Sequence, residues 1–569
     1  MSPQASGKYA PRTFEPGSDQ EAIAPVSTQR TSPGTHRGRQ TFARVVPLVV
    51  PLVFAVAAVA AAAMHDTFEE WDGICQVLTG REILAGKGYQ DWASHFWPPL
   101  YSLLSGLLSL GPDPFWAAKS VSLISGVALL VVVYYLARAL SSSTKAALLS
   151  QALVATTPLF FVASIMAENH MIDSLFFVLA LVLLLRAMER KTVAAFAAVG
   201  VAAALACMSR YTSYALLPTV LLAIALTFDA KGGAKMAAAF LIAFVCVSLP
   251  WYLENLRAHG SALHTWHYLT AGVGIFRSGR YQWWWSTSAQ YSGMLDLVRD
   301  YPGAFAKNWL SNTLNAPLVL MAEMGFVAAL LGAGVLYTTS VLGWRRVFPL
   351  FGGFAVFVVF VSEAYFFDLI LLSWLAVFAA PSAVFLARFP DALLRAGAPF
   401  DRLTARRAAL VVAICILVGN LGATVVKAHR YIAGDDEDGG QLAEVYEVTA
   451  ALREADPDIA GKYVMAAHPA FAYYAGSRYL SPALYYQGSV EEWCSFRNLP
   501  PKVLRHGFNY PVDTPVGDLQ ADYLVFSEFL AAMLPQFSFL LDPDSRAVPD
   551  SFSVVYRSPR VVAYRIAHD

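Results

Sequence analysis

Apolar residues come in long blocks along this chain, separated by short polar stretches. The blocks fall at about 45–64, 118–137, 146–165, 172–187, 193–208, 212–228, 236–253, 317–341, 347–362, 366–387 and 407–427. Crossing a hydrocarbon layer takes roughly 20 apolar residues in a helix. The pattern therefore predicts a polytopic α-helical membrane protein with about 11 transmembrane helices. One further stretch, PPLYSLLSGLLSLGPDP at 98–114, has an apolar part of about a dozen residues, short of the length a span needs. It reads as a half-depth helix that returns at Gly111-Pro112 to the side it came from. Pro98 and Pro99 suit the first turn of such a helix, where a missing N–H costs nothing.

The polar stretches are unequal. The loop 65–114 carries Asp66, Glu69, Glu70, Asp72, Arg81, Glu82, Lys87, Asp91 and His95, far more than a connector between two helices requires. A second long loop, 254–316, contains Trp283, Trp284 and Trp285, which fit an interfacial aromatic belt. Residues 1–40 are rich in Pro, Ser, Thr, Gly and Arg and read as a disordered tail. From about 430 the pattern changes again. GDDEDGG reads as a linker and VYEVTAALREA as a helix, while YVMAAH, ADYLVFS, FSVVYRS and VVAYRIA read as short strands. Three parts are expected: the tail 1–40, a transmembrane domain 41–429, and a C-terminal soluble α/β domain 430–569.

Composition supports the membrane reading. Hydrophobic residues make up 57% of the chain and charged residues 14%, against about 25% charged in soluble domains. The net charge is zero, so nothing points to nucleic acid. The distribution of positive charge is more informative. Arg30, Arg37, Arg39 and Arg44 precede the first block, and Arg138, Lys145, Arg190, Lys191, Lys231, Lys235, Arg345, Arg346, Arg388, Arg402 and Arg406 mark alternate connections. The positive-inside rule then puts the N-terminus in the cytoplasm and the loops 65–114 and 254–316 on the outer face. The alternation holds only if 98–110 does not span. An odd number of spans places the C-terminal domain on the outer face too. The five cysteines have no metal spacing. Cys207, Cys246 and Cys415 fall in apolar blocks and read as core residues. Cys75 and Cys494 share the outer face, and spacing alone does not bring them within bonding range.

The chemistry is sought among the polar groups nearest the membrane. Asp72 lies between Trp71 and Gly73, and the following GREILAGKGYQDW reads as a helix stopped by glycine. Asp173 stands where a block begins after AENHMID. An ionisable residue there is a functional candidate, and an N-cap of the next helix is its bland alternative. Glu168 and His170 are close by in sequence. Arg210, in the turn SRYT, and Arg257, in PWYLENLRAHG, each also fit a cation that snorkels to headgroups.

An acidic residue, then R81-E-I-L-A-G-K-G-Y89, then W-P-P-L-Y, resembles the first outer loop of the GT-C glycosyltransferases. The branch most similar is glycosyltransferase family 39-like, comprising the protein mannosyltransferases, the aminoarabinose transferases and Rgt-like bacterial proteins. This resemblance puts Asp72 at the family's first catalytic acid and Asp173 at its second. CMSRYTSYALL and LPWYLENLRAHGS are similar to two further family stretches, which brings in Arg210, Trp251, Asn255 and Arg257. Aminoarabinose transferases carry a lysine directly before Pro-Pro, where this chain has Trp97. An E-x-R-Y motif of many relatives is replaced by S-E-A-Y-F-F-D, Glu363 to Asp368.

The resemblance implies an inverting transfer of a sugar from a polyprenyl-phosphate donor to a hydroxyl of a glycolipid, polysaccharide or protein. It implies a bacterial inner (plasma) membrane location. Asp72 would be the base and Asp173 would position the acceptor or the base. Arg210, with Arg257 or His95, would hold the phosphate, and Glu69, Glu168 and His170 complete the expected substrate-binding set. A divalent metal on Asp72, Glu168, His170 and Asp173 is an alternative that this branch mostly does not demand. Two other classes compete: a lipid or glycan transporter or flippase, and a catalytically degenerate accessory protein. Transporters place ionisable residues at mid-membrane, whereas most blocks here lack central charges.

Overall fold

The computed structural model describes residues 45–65, 68, 70–86, 97–109, 113–265, 267–276, 291, 293–363, 368–395, 401–433, 444–482, 488–495 and 520–568. The helices begin with α1 (Val49–Met64), α2 (Trp71–Leu84), α3 (Leu100–Leu108), α4 (Pro114–Ser141) and α5 (Thr144–Ala155). They continue with α6 (Pro158–Ile165), α7 (His170–Arg190), α8 (Val193–Cys207), α9 (Leu216–Thr227) and α10 (Ala230–His259). After α11 (His267–Phe276), α12 (Met294–Asp300) and α13 (Pro302–Met324) come α14 (Leu331–Leu342), α15 (Trp344–Val361), α16 (Leu372–Arg395) and α17 (Arg402–Ala433).

Among the described residues, eight helical stretches are long and apolar enough to cross a membrane, and α5 with α6, bent by 67°, makes a ninth. The other two expected spans are the shorter apolar helices 193–207 and 211–227. The 15 residues of α8 give only about 22 Å of helix against a hydrocarbon core of about 30 Å. Length alone therefore supports nine spans where about 11 were expected. The nine residues of α3 reach about 14 Å, in agreement with a half-depth helix. The return at Gly111-Pro112, the tail 1–40, the linker 434–440 and Trp283 to Trp285 lie outside the described residues.

Burial divides the bundle into centre and rim. The span Asp368–Asp391 is 89% buried, whereas Arg402–Ala433 is 22% buried. Rim helices turn Leu and Val outward, as Leu410, Val411, Val418 and Val425 do on α17. Two cysteines expected in the core follow this rule instead: Cys246 and Cys415 are exposed on the rim, whereas Cys207 is buried. Cys75 and Cys494 are both buried, and Cys494 belongs to the core of the C-terminal sheet.

The helix α2 carries its acid in the first turn at Asp72 and its base in the last at Arg81, the arrangement the helix dipole favours. Gly86, at φ +77°, ends it as only a residue without Cβ does cheaply. Inside the helix, Gly80 meets Gly106 of α3. A Cβ on Gly80 would lie 2.1 Å from the Ser102 carbonyl oxygen. The two backbones are thus in direct contact, and the half-depth helix is seated on α2. Replacing Gly80 by Ala should lower the unfolding temperature in detergent, because overpacking costs about 1–3 kcal/mol against about 1 kcal/mol of helix propensity gained. Gly422→Ala on α17, where nothing lies within 4 Å of the added Cβ, is the control that should not destabilise.

The C-terminal domain contains α18 (Val445–Ala455), β1 (Tyr463–Ala466), α19 (Ala470–Ala475), β2 (Arg478–Leu480), α20 (Val490–Ser495), β3 (Tyr523–Ser527), α21 (Glu528–Met533), β4 (Phe552–Arg557) and β5 (Val561–Ile566). The sheet order is β2-β1-β3-β5-β4. β1 is parallel to both β2 and β3, while β5 is antiparallel to β3 and β4. β3 is buried along its whole length, as a strand covered on both faces must be. One face packs on Trp493, Leu530 and Phe537. The other packs on Val448, Leu452 and Phe471, and this core runs on without a break into Phe68, Tyr101 and Phe115. The sheet is therefore seated on the starts of α2, α3 and α4.

Candidate active site

Three chain segments meet at the end of the bundle under the sheet. The first turn of α2 supplies Asp72. The turn 166–169 between α6 and α7 supplies Glu168 and Asn169, and α7 itself starts with His170 and carries Asp173. The third is the turn after α8, which supplies Arg210 and Ser213. The first loop is pinned to the third segment by the Leu100 N–H, which donates to the Met208 carbonyl at 2.9 Å. The Ser122 hydroxyl of α4 donates to the Glu168 carbonyl at 2.9 Å.

Arg210 is the hub. It is 5% exposed, and its Nη1 donates to Asn169 Oδ1 at 2.7 Å. Asn169 is itself oriented by its Nδ2, which donates to the Ser209 carbonyl at 3.0 Å. The guanidinium lies 5.2 Å from the centre of the Trp97 ring, within cation–π range. His170 Nε2 stands 2.8 Å from Glu168 Oε2 and 3.4 Å from Arg210 Nη1. Arginine has no acceptor, so a proton on that nitrogen is donated to Glu168. The Ser213 hydroxyl donates to Asp173.

Burial sets the electrostatics. Burial, and next the neighbouring Glu168 carboxylate, push Asp72 up to about 7 against the pull of Arg210 and the Trp97 indole. Burial raises Glu168 too, and Arg210 opposes it. The Arg210 guanidinium is itself disfavoured by burial, while Asp173, Asp72 and Glu168 hold it charged. Two carboxylates poised near neutrality beside one fixed cation can take up and release a proton at working pH.

The structure brings together Asp72, Glu168, His170, Asp173 and Arg210 from the expected set. Arg257 is elsewhere. It pairs with Glu254 at 2.7 Å and its side chain is 66% exposed. Its motif neighbours Trp251 and Asn255 are buried and reach the Tyr211 hydroxyl, next to the hub. Glu69 and His95 lie outside the described residues. Asp173 is not an N-cap. Asn169 holds that position, and Asp173 sits in the first turn of α7. Sequence reasoning passed over Asn169 and Ser213, although one lies between Glu168 and His170 and the other three residues after Arg210. It named Trp97 as the residue that stands where aminoarabinose transferases carry a lysine.

A metal does not fit this donor set. Among the described residues no three His, Cys, Asp or Glu side chains converge to hold an ion. Asp173 is turned to Ser213 and Glu168 to His170, and the Arg210 cation already acts on all three carboxylates.

Residues 97–252 match the sequence model of the dolichyl-phosphate-mannose-protein mannosyltransferase family. Solved structures agree over most of the chain. ArnT from Cupriavidus metallidurans in the apo state is similar over 90% of this chain and 97% of its own, at 15% identity and a TM-score of 0.57. The same protein bound to undecaprenyl phosphate gives 0.52 at the same identity and coverage. The archaeal oligosaccharyltransferase AglB from Archaeoglobus fulgidus, in complex with an inhibitory peptide and a dolichol-phosphate, covers 85% of this chain and 70% of its own at 16% identity and a TM-score of 0.54. No curated protein matches the chain significantly. The fold is that of the GT-C glycosyltransferases, as the resemblance implied, and the sequence match takes in the W-P-P-L-Y end of the first loop.

Proposed function

We propose that this chain is an inverting membrane glycosyltransferase. It moves a sugar from a polyprenyl-phosphate donor to a hydroxyl of a glycolipid, polysaccharide or protein on the outer face of a bacterial inner membrane. One observation carries the reading. In a GT-C fold, Asp72, Glu168 and Arg210 come from three separate segments and meet under the C-terminal sheet. Solved structures of this fold bear dolichol-phosphate or undecaprenyl phosphate, which supports a lipid-carried donor. The outer-face placement rests on charge. α4 starts beside the site and ends 28 residues later near Arg138, and Arg346 and Arg388 line a cavity of about 250 Å³ at that far end. An inner face rich in arginine leaves the site on the outer one, where nucleotide sugars are absent.

The Asp72 carboxylate takes the proton of the acceptor hydroxyl. The acceptor oxygen bonds to the anomeric carbon from the face opposite the phosphate. The bond from that carbon to the phosphate oxygen breaks, and its electron pair leaves as phosphate charge. Arg210 balances that charge, since a guanidinium fork suits phosphate oxygens. The lysine that precedes Pro-Pro in aminoarabinose transferases is Trp97 here, and its ring lies over the same guanidinium. The phosphate cation thus falls to Arg210, which lies near the indole and bonds to Asn169. Asp173 positions the acceptor.

The test is release of polyprenyl phosphate by purified protein in lipid, offered a panel of polyprenyl-phosphate sugars with a membrane extract as acceptor source. Turnover supports the reading, and a well-folded sample inert toward the whole panel counts against it. The pH dependence is fixed in sign. Asp72 works as a base only when ionised, and its folded pKa is raised to about 7. Activity should therefore climb as pH rises through about 7 and be nearly absent at pH 5, with the limb belonging to the Asp72–Glu168 pair jointly. A rate that is flat from pH 5 to 8 would remove Asp72 from the role of base.

A further inference from the structure

We propose that Glu70 is a positioning residue that latches the segment bearing Asp72 to the segment bearing Glu168. The inference rests on the reading of Asp72 as base and adds a residue that neither the motif nor the fold match supplies.

Glu70 occupies the N-cap position of α2, and its backbone carbonyl accepts from the Ile74 N–H at 3.0 Å. An acidic side chain at that place ordinarily caps its own helix. This one makes no such bond. It is 6% exposed, and its Oε1 accepts instead from the Ala167 N–H at 3.0 Å and from the Tyr431 hydroxyl at the end of α17. Ala167 is gripped at its carbonyl as well. A Cβ on Gly73 would lie 1.9 Å from the Ala167 carbonyl oxygen, so that oxygen rests on the bare Cα of the helix. Asp72 stands between the two gripping residues, and Glu168 is the residue next to the one gripped. The spacing of the two reactive carboxylates is therefore set through one residue, held at both its N–H and its C=O.

The second carboxylate oxygen, Oε2, is buried with no hydrogen-bond partner among the described residues. The latch uses one acceptor oxygen and makes no demand for charge. Glutamine retains that oxygen, whereas alanine removes it. A carboxylate kept for its charge would show the opposite ranking.

The experiment compares wild type, Glu70→Gln, Glu70→Ala and Asp72→Asn in lipid, scored by polyprenyl phosphate release from the donor panel and by hydrogen exchange over 166–169. Glu70→Ala should lower kcat by about 10–100-fold, because a misplacement of about 1 Å costs up to about 10²-fold, with donor KM nearly unchanged. Its acid limb should move to lower pH as Glu168 drifts from Asp72, both of them facing Arg210. The amides of 166–169 should exchange faster while the rest of the bundle stays protected. Glu70→Gln should match wild type in all three readouts. Equal losses in the two variants, an unchanged kcat in Glu70→Ala, or unchanged exchange at 166–169 would each overturn the latch. Exchange needs no turnover, so it judges the latch apart from the reading beneath it. That reading fails separately, if Asp72→Asn turns over at the wild-type rate.

Discussion

Asp72→Asn should lower turnover by about 10²–10⁴-fold, the usual range for removing a positioned base, while leaving the protein folded. Asparagine has the shape of aspartate, so contacts to Arg210 and Trp97 are kept in volume, but the amide cannot accept the acceptor's proton. The accompanying stability change has a definite sign. Folding raises the Asp72 pKa from 3.8 to about 7, so between these values the folded protein holds a proton that the unfolded chain has lost. Stability then falls as pH rises through this window, and above it the wild type bears the cost of a buried charge. The asparagine variant does not titrate. At pH 8 it should unfold no earlier than wild type while releasing almost no polyprenyl phosphate. Heat stability and turnover measured on one sample separate these outcomes. A variant that keeps turnover moves the base to Glu69, Glu70 or Asp173, and one that loses both properties shows only misfolding.

Arg210→Gln carries the second large effect, and here stability and activity should fall together. The guanidinium is the common partner of Asp72, Glu168 and Asp173, and removing one partner of a buried ion pair costs about 3–5 kcal/mol. The glutamine side chain is also too short to hold both Asn169 and the Trp97 face. Without the cation the acid limb of any residual activity should move to higher pH, because Arg210 lowers Asp72. Arg210→Lys restores the charge without the planar fork. It should recover most of the thermal stability and little of the turnover, since a point charge cannot keep the bond to Asn169, the stack on Trp97 and the donor phosphate at once. Thermal unfolding with donor kcat and KM for both variants gives the result. A lysine variant with wild-type turnover would show that Arg210 supplies only charge.

The parts of this protein that were legible in its sequence are those encoded locally. Among the described residues, apolar block length marked nine spans and two shorter apolar helices, and one of the four helices and four of the five strands of the C-terminal domain fell where their patterns placed them. β2 escaped because three residues, Arg478–Leu480, carry no periodicity. Hydropathy marks a segment as apolar without saying which face meets lipid, so Cys246 and Cys415 were read as core. Asp72, Asp173 and Arg210 were visible through the order of motifs. Their partners were not, because the decisive bonds join distant segments: Arg210 to Asn169 across 41 positions, and Tyr431 to Glu70 across 361. No local pattern announces a hydroxyl at the end of α17 as the partner of a glutamate in the first loop.

The most deeply enclosed span, Asp368–Asp391, has a consequence for how the protein is made. A ribosome delivers the N-terminal helices first, so the bundle's centre is among the last parts to arrive. α7 is 72% buried over its apolar window, and its Ser174 hydroxyl meets Ser373 of α16 at 3.0 Å. Until residue 373 is in the membrane, that face of α7, with Asp173 one position away, has nothing from α16 to lie against. The nascent protein therefore passes through a stage in which Ser174 lacks its partner Ser373. The end of that stage waits on α16, which comes only after more than half of the polypeptide has been made.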